Sequence, residues 1–165
     1  MATSRINHVS VSATDLAAST EFYMRLLGVE RIPTPDFGVE VQWLACGDTQ
    51  LHLFSSDLEP TRLHHFGVEV DVDRLAAAYR MAKEEGILES EAFGHHLIEL
   101  PGDVAQMYLR DPSGNLIELD APGASALPED MRADIRVLAE MRPQEGERAA
   151  ARLYVGADRR AVESV

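Results

Sequence analysis

YLRDPSGNLIELD, residues Tyr108–Asp120, is the stretch whose reading decides the fold. Met107 and Leu109 alternate with Gln106, Tyr108 and Arg110, the period of a strand with one apolar face. Asp111-Pro112-Ser113-Gly114 has the composition of a type I turn, with Pro at the second position and Gly at the fourth. A second strand, Leu116–Leu119, follows at once, with Ile117 and Leu119 on one face and Glu118 on the other. A carboxylate at such a position is ordinarily a solvated outer-face residue. Its meaning therefore depends on what the other strands place on the same face.

Moving outward, the chain reads β-α-β-β-β twice. Residues 6–12 alternate as a half-buried strand, with Val9 and Val11 opposed to His8, Ser10 and Ser12. Asp15 is a natural cap for a helix over Leu16–Leu27 that stops at Gly28, with Leu16, Tyr23 and Leu27 as its expected stripe, flanked by Phe22 and Leu26. Glu40–Cys46 and Thr49–Phe54 read as strands joined by a hairpin at Gly47-Asp48. The pattern restarts with a strand His65–Asp71, a helix capped by Asp73 that buries Leu75, Ala78, Tyr79 and Ala82 and ends at Gly86, and a strand His95–Leu100. The two strand histidines His8 and His65 lie 57 residues apart, and the two helix-ending glycines follow them at 20 and 21 residues. The chain thus carries an internal repeat of structure with little repeat of identity.

The repeat gives the histidines their meaning. His8, His52, His65 and Glu118 fall on equivalent faces of equivalent strands, with apolar residues opposing each. None of the six histidines lies in the last 44 residues. His64 and His95 neighbour the chosen residues and are expected to face the other way, in structural roles.

Composition bounds the function. One hundred and sixty-five residues with 45% hydrophobic content make a single ordinary domain, and the single cysteine, Cys46, rules out an internal disulfide. The net charge is −13, and residues 1–121 hold 20 of the 28 acidic but only 8 of the 15 basic side chains. Such a domain repels nucleic acid and anionic membrane, so neither is expected as a partner. The start has no apolar stretch of signal-peptide type, and a cytoplasmic protein is expected. Residues 122–165 are a C-terminal extension, with a helix expected over 128–141 that aligns Met131, Ile135 and Leu138, and a further helical turn or strand over 148–156.

Four segments, INHVSVSATDLAASTEFYMRLLG, TQLHLF, HHFGVEVDVDRLAAAYRMAKEEG and YLRDPSGNLIEL, resemble the vicinal oxygen chelate superfamily of glyoxalases, bleomycin-resistance proteins and extradiol dioxygenases. The resemblance covers about residues 5–121 and implies, for a domain of residues 1–121, an α+β fold of two βαβββ modules, about 5–55 and 63–121, paired around a small-molecule and metal-binding cleft. It implies His8, His65 and Glu118 as metal ligands. Two imidazoles and a carboxylate suit Fe(II) or Mn(II) and leave positions open for two neighbouring substrate oxygens. It further likens His52, His96 and Tyr108 to the acid/base His, the substrate-binding His and the Tyr of an extradiol ring-cleaving dioxygenase acting on a catechol. The hairpin between His96 and Tyr108 is longer than in that family, and typical large extradiol enzymes carry four modules where this chain has two, so a homodimer is expected. An alternative reading is a glyoxalase- or epimerase-type lyase or isomerase, with His52 as fourth ligand to Ni(II), Co(II) or Zn(II). A third is a non-catalytic drug-binding protein.

Overall fold

The computed structural model describes residues 6–36, 38–146, 151, 153 and 155. The chain divides into two compact units, 1–66 with 110–116, and 67–109 with 117–165.

In the first unit, β1 (His8–Ala13) leads into α1 (Leu16–Leu27), followed by β2 (Glu30–Ile32), β3 (Val41–Cys46) and β4 (Thr49–Ser55). The sheet order is β1-β4-β3-β2, with β1 parallel to β4 and the other pairs antiparallel. Asp15 caps α1 by accepting from the Ala18 amide, and Gly28 closes it in the left-handed conformation, at φ 69°. The buried stripe is Ser19, Thr20, Phe22, Tyr23 and Leu26. Leu16 and Leu27 are not part of it, so the helix is rotated from the expected stripe, and two hydroxyl residues take part in the burial. Thr20 satisfies its hydroxyl on the Leu16 carbonyl one turn back.

The 111–114 turn belongs to this unit, and its chemistry is dense. The Gly114 amide donates to the Asp111 carbonyl at 2.9 Å, closing the expected turn. Asp111 is 4% exposed, and its carboxylate accepts from the amides of Ser113 and Asn115, the Asn115 side-chain amide and the Tyr23 hydroxyl, at 2.7–2.9 Å. Asn115 donates on to the Ser12 carbonyl of β1, and the Thr14 amide donates to the Ser113 hydroxyl. Burial, and then the charge of Asp111, push the Tyr23 phenol well above its ordinary pKa, so it remains a protonated donor.

The second unit repeats the order. β5 (His65–Glu69), whose first two residues belong to the first unit, is followed by α2 (Val72–Glu85), β6 (Leu97–Leu100), β7 (Val104–Arg110) and β8 (Leu116–Pro122). The sheet runs β5-β8-β7-β6, the same sequence of strands as in the first unit, with β9 (Arg136–Val137) added parallel to β6 at the far edge. α2 buries Leu75, Ala76, Ala78, Tyr79 and Ala82 and ends at Gly86 as expected. Its cap is Asp71 rather than Asp73, because Asp71 accepts from the Arg74 amide while Asp73 sits inside the first turn, where an acid also suits the helix dipole.

The C-terminal segment departs from expectation. Instead of one helix over 128–141, a 3-10 turn (Ala124–Ala126) precedes α3 (Glu129–Arg132), β9 and α4 (Leu138–Met141). The apolar spacing of Met131 and Ile135 survives as a single turn: the Ile135 amide bonds the Met131 carbonyl, and the chain then extends to pair with β6. Tertiary pairing overrides a helical pattern too short to stand without packing. Asp103, at φ 63°, fixes the start of this segment by accepting from the Ser125 amide and hydroxyl. The expected element over 148–156 falls largely outside the described residues. Among the described residues, no helix is long and apolar enough to cross a membrane.

The Tyr23–Asp111 bond gives the first prediction. Tyr23→Phe removes one donor from a buried carboxylate and is expected to lower stability by about 1.5–3 kcal/mol in urea unfolding. Tyr79→Phe, whose partner Asp134 is part-exposed, is expected to cost less.

Candidate metal centre and active site

In the first unit, the register of β1 on β4 sets His8 opposite Gln50 and Ser10 opposite His52. Leu51 and Leu53 are buried on one face of β4, leaving Gln50, His52 and Phe54 on the other. The His8 and His52 rings stack at 4.4 Å and 15°, and Trp43, cross-strand partner of His52, stacks on it at 4.3 Å and 6°. These rings, with Asn7, Gln50 and Phe54, line an open cleft of about 560 Å³, and no Lys or Arg stands among its described wall residues.

Proton positions follow from the partners. His65 Nδ1 lies 2.8 Å from the Leu63 carbonyl, which can only accept, so Nδ1 carries the hydrogen. His8 Nδ1 makes the corresponding contact with Asn7 Oδ1 at 2.7 Å. A ring held through Nδ1–H by an oxygen, with Nε2 left as donor atom, is the arrangement in which histidines bind metal. His52 is held the other way round, with Nε2 2.9 Å from Gln50 Oε1. Burial, and then neighbouring His8, depress the His52 pKa, so at neutral pH it is an uncharged imidazole.

In the second unit, Glu118 is 7% exposed and shares its face of β8 with Asp120, itself 4% exposed. Gly67 of β5 makes room for them. A Cβ there would come within 3.0 Å of Asp120 Oδ2 and 3.2 Å of Glu118 Oε1. Burial, and then the Glu118 charge, push the Asp120 carboxyl up to about 8. The Gln106 side-chain amide donates to Asp120 at 3.2 Å, and the Tyr108 hydroxyl donates to Gln106 Oε1 at 2.7 Å. Tyr108 packs on Phe93 with centroids 4.5 Å apart, and its phenol is raised by burial and then by Glu118, so it stays a donor. A buried acid pair of this kind fits a divalent cation, whose charge would offset the burial and the repulsion that raise the Asp120 carboxyl.

Of the residues singled out from sequence, the structure thus brings together His8 with His52, and Tyr108 with Glu118. His96 is engaged elsewhere. Its Nδ1 meets Ser90 Oγ at 2.9 Å and its Nε2 meets Asp134 Oδ2 at 2.9 Å, so neither ring nitrogen is turned to a substrate. The substrate-binding role that the resemblance implies for His96 gains no support from this placement. His95, expected to face away from His96, instead lies ring to ring with it at 4.4 Å. Strand alternation does not govern these two residues, because β6 begins at Leu97 and Gly94, at φ 85°, bends the chain before it. His64 lies in the connection before β5, its amide donating to Thr61. Gln50 beside His52, and Gln106 and Asp120 beside Tyr108 and Glu118, are not singled out by the sequence. The available signal is the two-residue strand period that places each beside His52, Tyr108 or Glu118.

The chain belongs to the Glyoxalase/Bleomycin resistance protein/Dioxygenase superfamily, whose family model matches residues 5–119. It is 33% identical over 132 residues to the mitochondrial methylmalonyl-CoA epimerase of Bos taurus, covering 70% of this chain and 73% of that protein. Among solved structures it resembles a mutant of FosX, a fosfomycin resistance protein of Listeria monocytogenes, complexed with Mn(II) and 1S,2S-dihydroxypropylphosphonic acid. That match has a TM-score of 0.56 at 16% identity, over 80% of this chain and 98% of that one. Lactoylglutathione lyase of Agrobacterium tumefaciens matches with a TM-score of 0.53 at 22% identity, over 72% and 93%. The superfamily generally binds divalent metals and acts on small molecules.

The raised Asp120 carboxyl has a measurable consequence. The folded, metal-free protein retains a proton that the unfolded chain loses above about pH 4, so stability is expected to fall as pH rises from there through about 8. Asp120→Asn removes the titration. In EDTA-treated protein its urea midpoint is expected to vary less over that range than the wild type's, and to lie higher at pH 8.

Proposed function

We propose that this chain is a divalent-metal enzyme of the epimerase and lyase type. It would shift a proton at the carbon beside a carbonyl in a small substrate held through two neighbouring oxygens. The observation that carries the reading is the uncharged His52 imidazole stacked on His8 at 4.4 Å, inside a cleft walled by Trp43. An imidazole that is neutral at working pH can accept a proton without first losing one. The same side chain can alternatively serve as a fourth ligand.

His8, His65 and Glu118 are the proposed ligands of the metal. The Nδ1 partners of both histidines and the buried acid pair at Glu118 support this set. Bound there, an ion such as Co(II), Ni(II) or Zn(II) would polarise the substrate oxygens and so acidify the neighbouring C–H. Gln50 orients His52, Trp43 fixes its ring plane, and the protonated Tyr108 offers a hydrogen bond near Glu118. The epimerases similar to this chain support a carbon acid flanked by two carbonyls as the substrate class. A described cleft wall without Lys or Arg argues for recognising the acyl end rather than phosphates.

A second reading is ring cleavage of a catechol by an Fe(II) or Mn(II) form. It is favoured by the placement of the Tyr108 phenol against Glu118.

The deciding experiment follows solvent deuterium into methylmalonyl-CoA and its phosphate-free N-acetylcysteamine analogue by proton NMR, with Co(II)-loaded protein. Exchange of the α-proton, at least as fast with the analogue, is expected. Oxygen uptake with a catechol panel by Fe(II)-loaded protein, without any α-exchange, would select the second reading. His52→Ala is expected to lower exchange by about 100-fold or more. Metal retained in that variant makes His52 the base, and metal lost makes it a ligand. Glu118→Ala and His65→Ala are each expected to lose the metal, measured after dialysis.

A further inference from the structure

The tail brings a second set of ligand-type side chains together, independently of the proposed active site. His95 and His96 enter β6, and Asp134 lies between α3 and β9. One ligand atom from each falls within 4.8 Å of the others. His96 Nε2 stands 2.9 Å from Asp134 Oδ2, and His95 Nε2 stands 3.8 Å from Oδ1 and 2.8 Å from the Asp134 carbonyl oxygen. Neighbouring ligands of a tetrahedral ion with bonds of about 2.0–2.1 Å stand roughly 3.3 Å apart, a value these separations bracket. Ser90 Oγ holds His96 Nδ1, which leaves Nε2 to face the carboxylate. The Tyr79 hydroxyl holds Asp134 Oδ2 in the same way. Both are the outer partners a metal site needs to fix its ligands.

The charge is also right. Lys83 donates to the Tyr79 hydroxyl at 3.1 Å rather than to the carboxylate itself. Although burial opposes it, the hydrogen bonds from Tyr79 and His96 hold the Asp134 carboxyl below its ordinary pKa, so it is a carboxylate at neutral pH. The histidine and carboxylate side chains retain 16% and 29% exposure, enough for an ion to enter from solvent.

We propose that His95, His96 and Asp134 form a second divalent-metal site, of the Zn(II) class, with water completing the coordination. Binding there requires each imidazole to carry its proton on Nδ1, which Ser90 Oγ can accept from His96, so that Nε2 takes the ion and the tail is cross-linked to the entry of β6. Soft-to-borderline cations are favoured over Mg(II) or Ca(II) by two nitrogen donors against one carboxylate.

The test uses the full chain carrying Glu118→Ala, so that the proposed active-site metal is removed and its assignment does not affect the result. Zn(II) is the probe. One equivalent per chain is expected by equilibrium dialysis, with an upward shift in melting temperature. Adding His96→Ala, or separately Asp134→Asn, is expected to remove both the equivalent and the shift, while far-UV circular dichroism stays that of the parent. Adding His64→Ala, a histidine outside the cluster, is expected to change neither. Retention of the equivalent in both cluster variants would overturn the proposal, as would no binding by the Glu118→Ala parent. Should His96→Ala fail to fold, the part-exposed His95→Ala takes its place, with the same two outcomes.

Discussion

A single buried carboxylate, Asp111, organises the first unit. Four hydrogen bonds converge on it, three from its own turn and one from Tyr23 of α1. A buried carboxylate without partners is costly, and one with four converging donors is tolerated and directional. Its surroundings are correspondingly fixed. Pro112 and Gly114 shape the turn, Asn115 bonds β1, and Ser113 receives the Thr14 amide just ahead of α1. Residues 110–116 are about a hundred positions from β1 in sequence, yet they pack as part of the same unit. β7 runs into this turn and β8 out of it, so the turn sets where Tyr108 and Glu118 fall in the alternation of their strands.

Much of this is legible in the sequence. The two βαβββ modules, both helix ends and the 111–114 turn follow from period, caps and glycine placement, which are local signals. The His8–His52 pairing is legible for the same reason, since two strands of one face need only the right register to bring their side chains together. What escapes depends on non-local events. The stripe of α1 turns toward Ser19 and Thr20 because the helix meets a polar turn that hydrophobicity does not foretell. The 128–141 segment breaks because β6 offers it an edge to pair with. His95 and His96 converge because Gly94 bends the chain ahead of the strand.

The two units also differ in the electrostatic character of the side chains they offer. The His52 imidazole, held between the His8 and Trp43 rings, is uncharged at neutral pH. Glu118 and Asp120 form a compressed acid pair for which Gly67 has given up its side chain. The second unit thus concentrates charge at Glu118, and the first keeps His52 uncharged. Members of one superfamily can exchange chemistries on such a scaffold because fold and reaction are specified by different residues.

The two-residue strand β9 gives the tail a protective role. β6 would otherwise end the second sheet with exposed backbone donors and acceptors, a template on which another chain could add a strand. By pairing with Ile98 and Glu99, β9 occupies part of that template with the protein's own chain. The extension therefore guards the sheet against edge-to-edge aggregation, and a shortened chain ending near Pro122 would trade a self-capped sheet for an adhesive one.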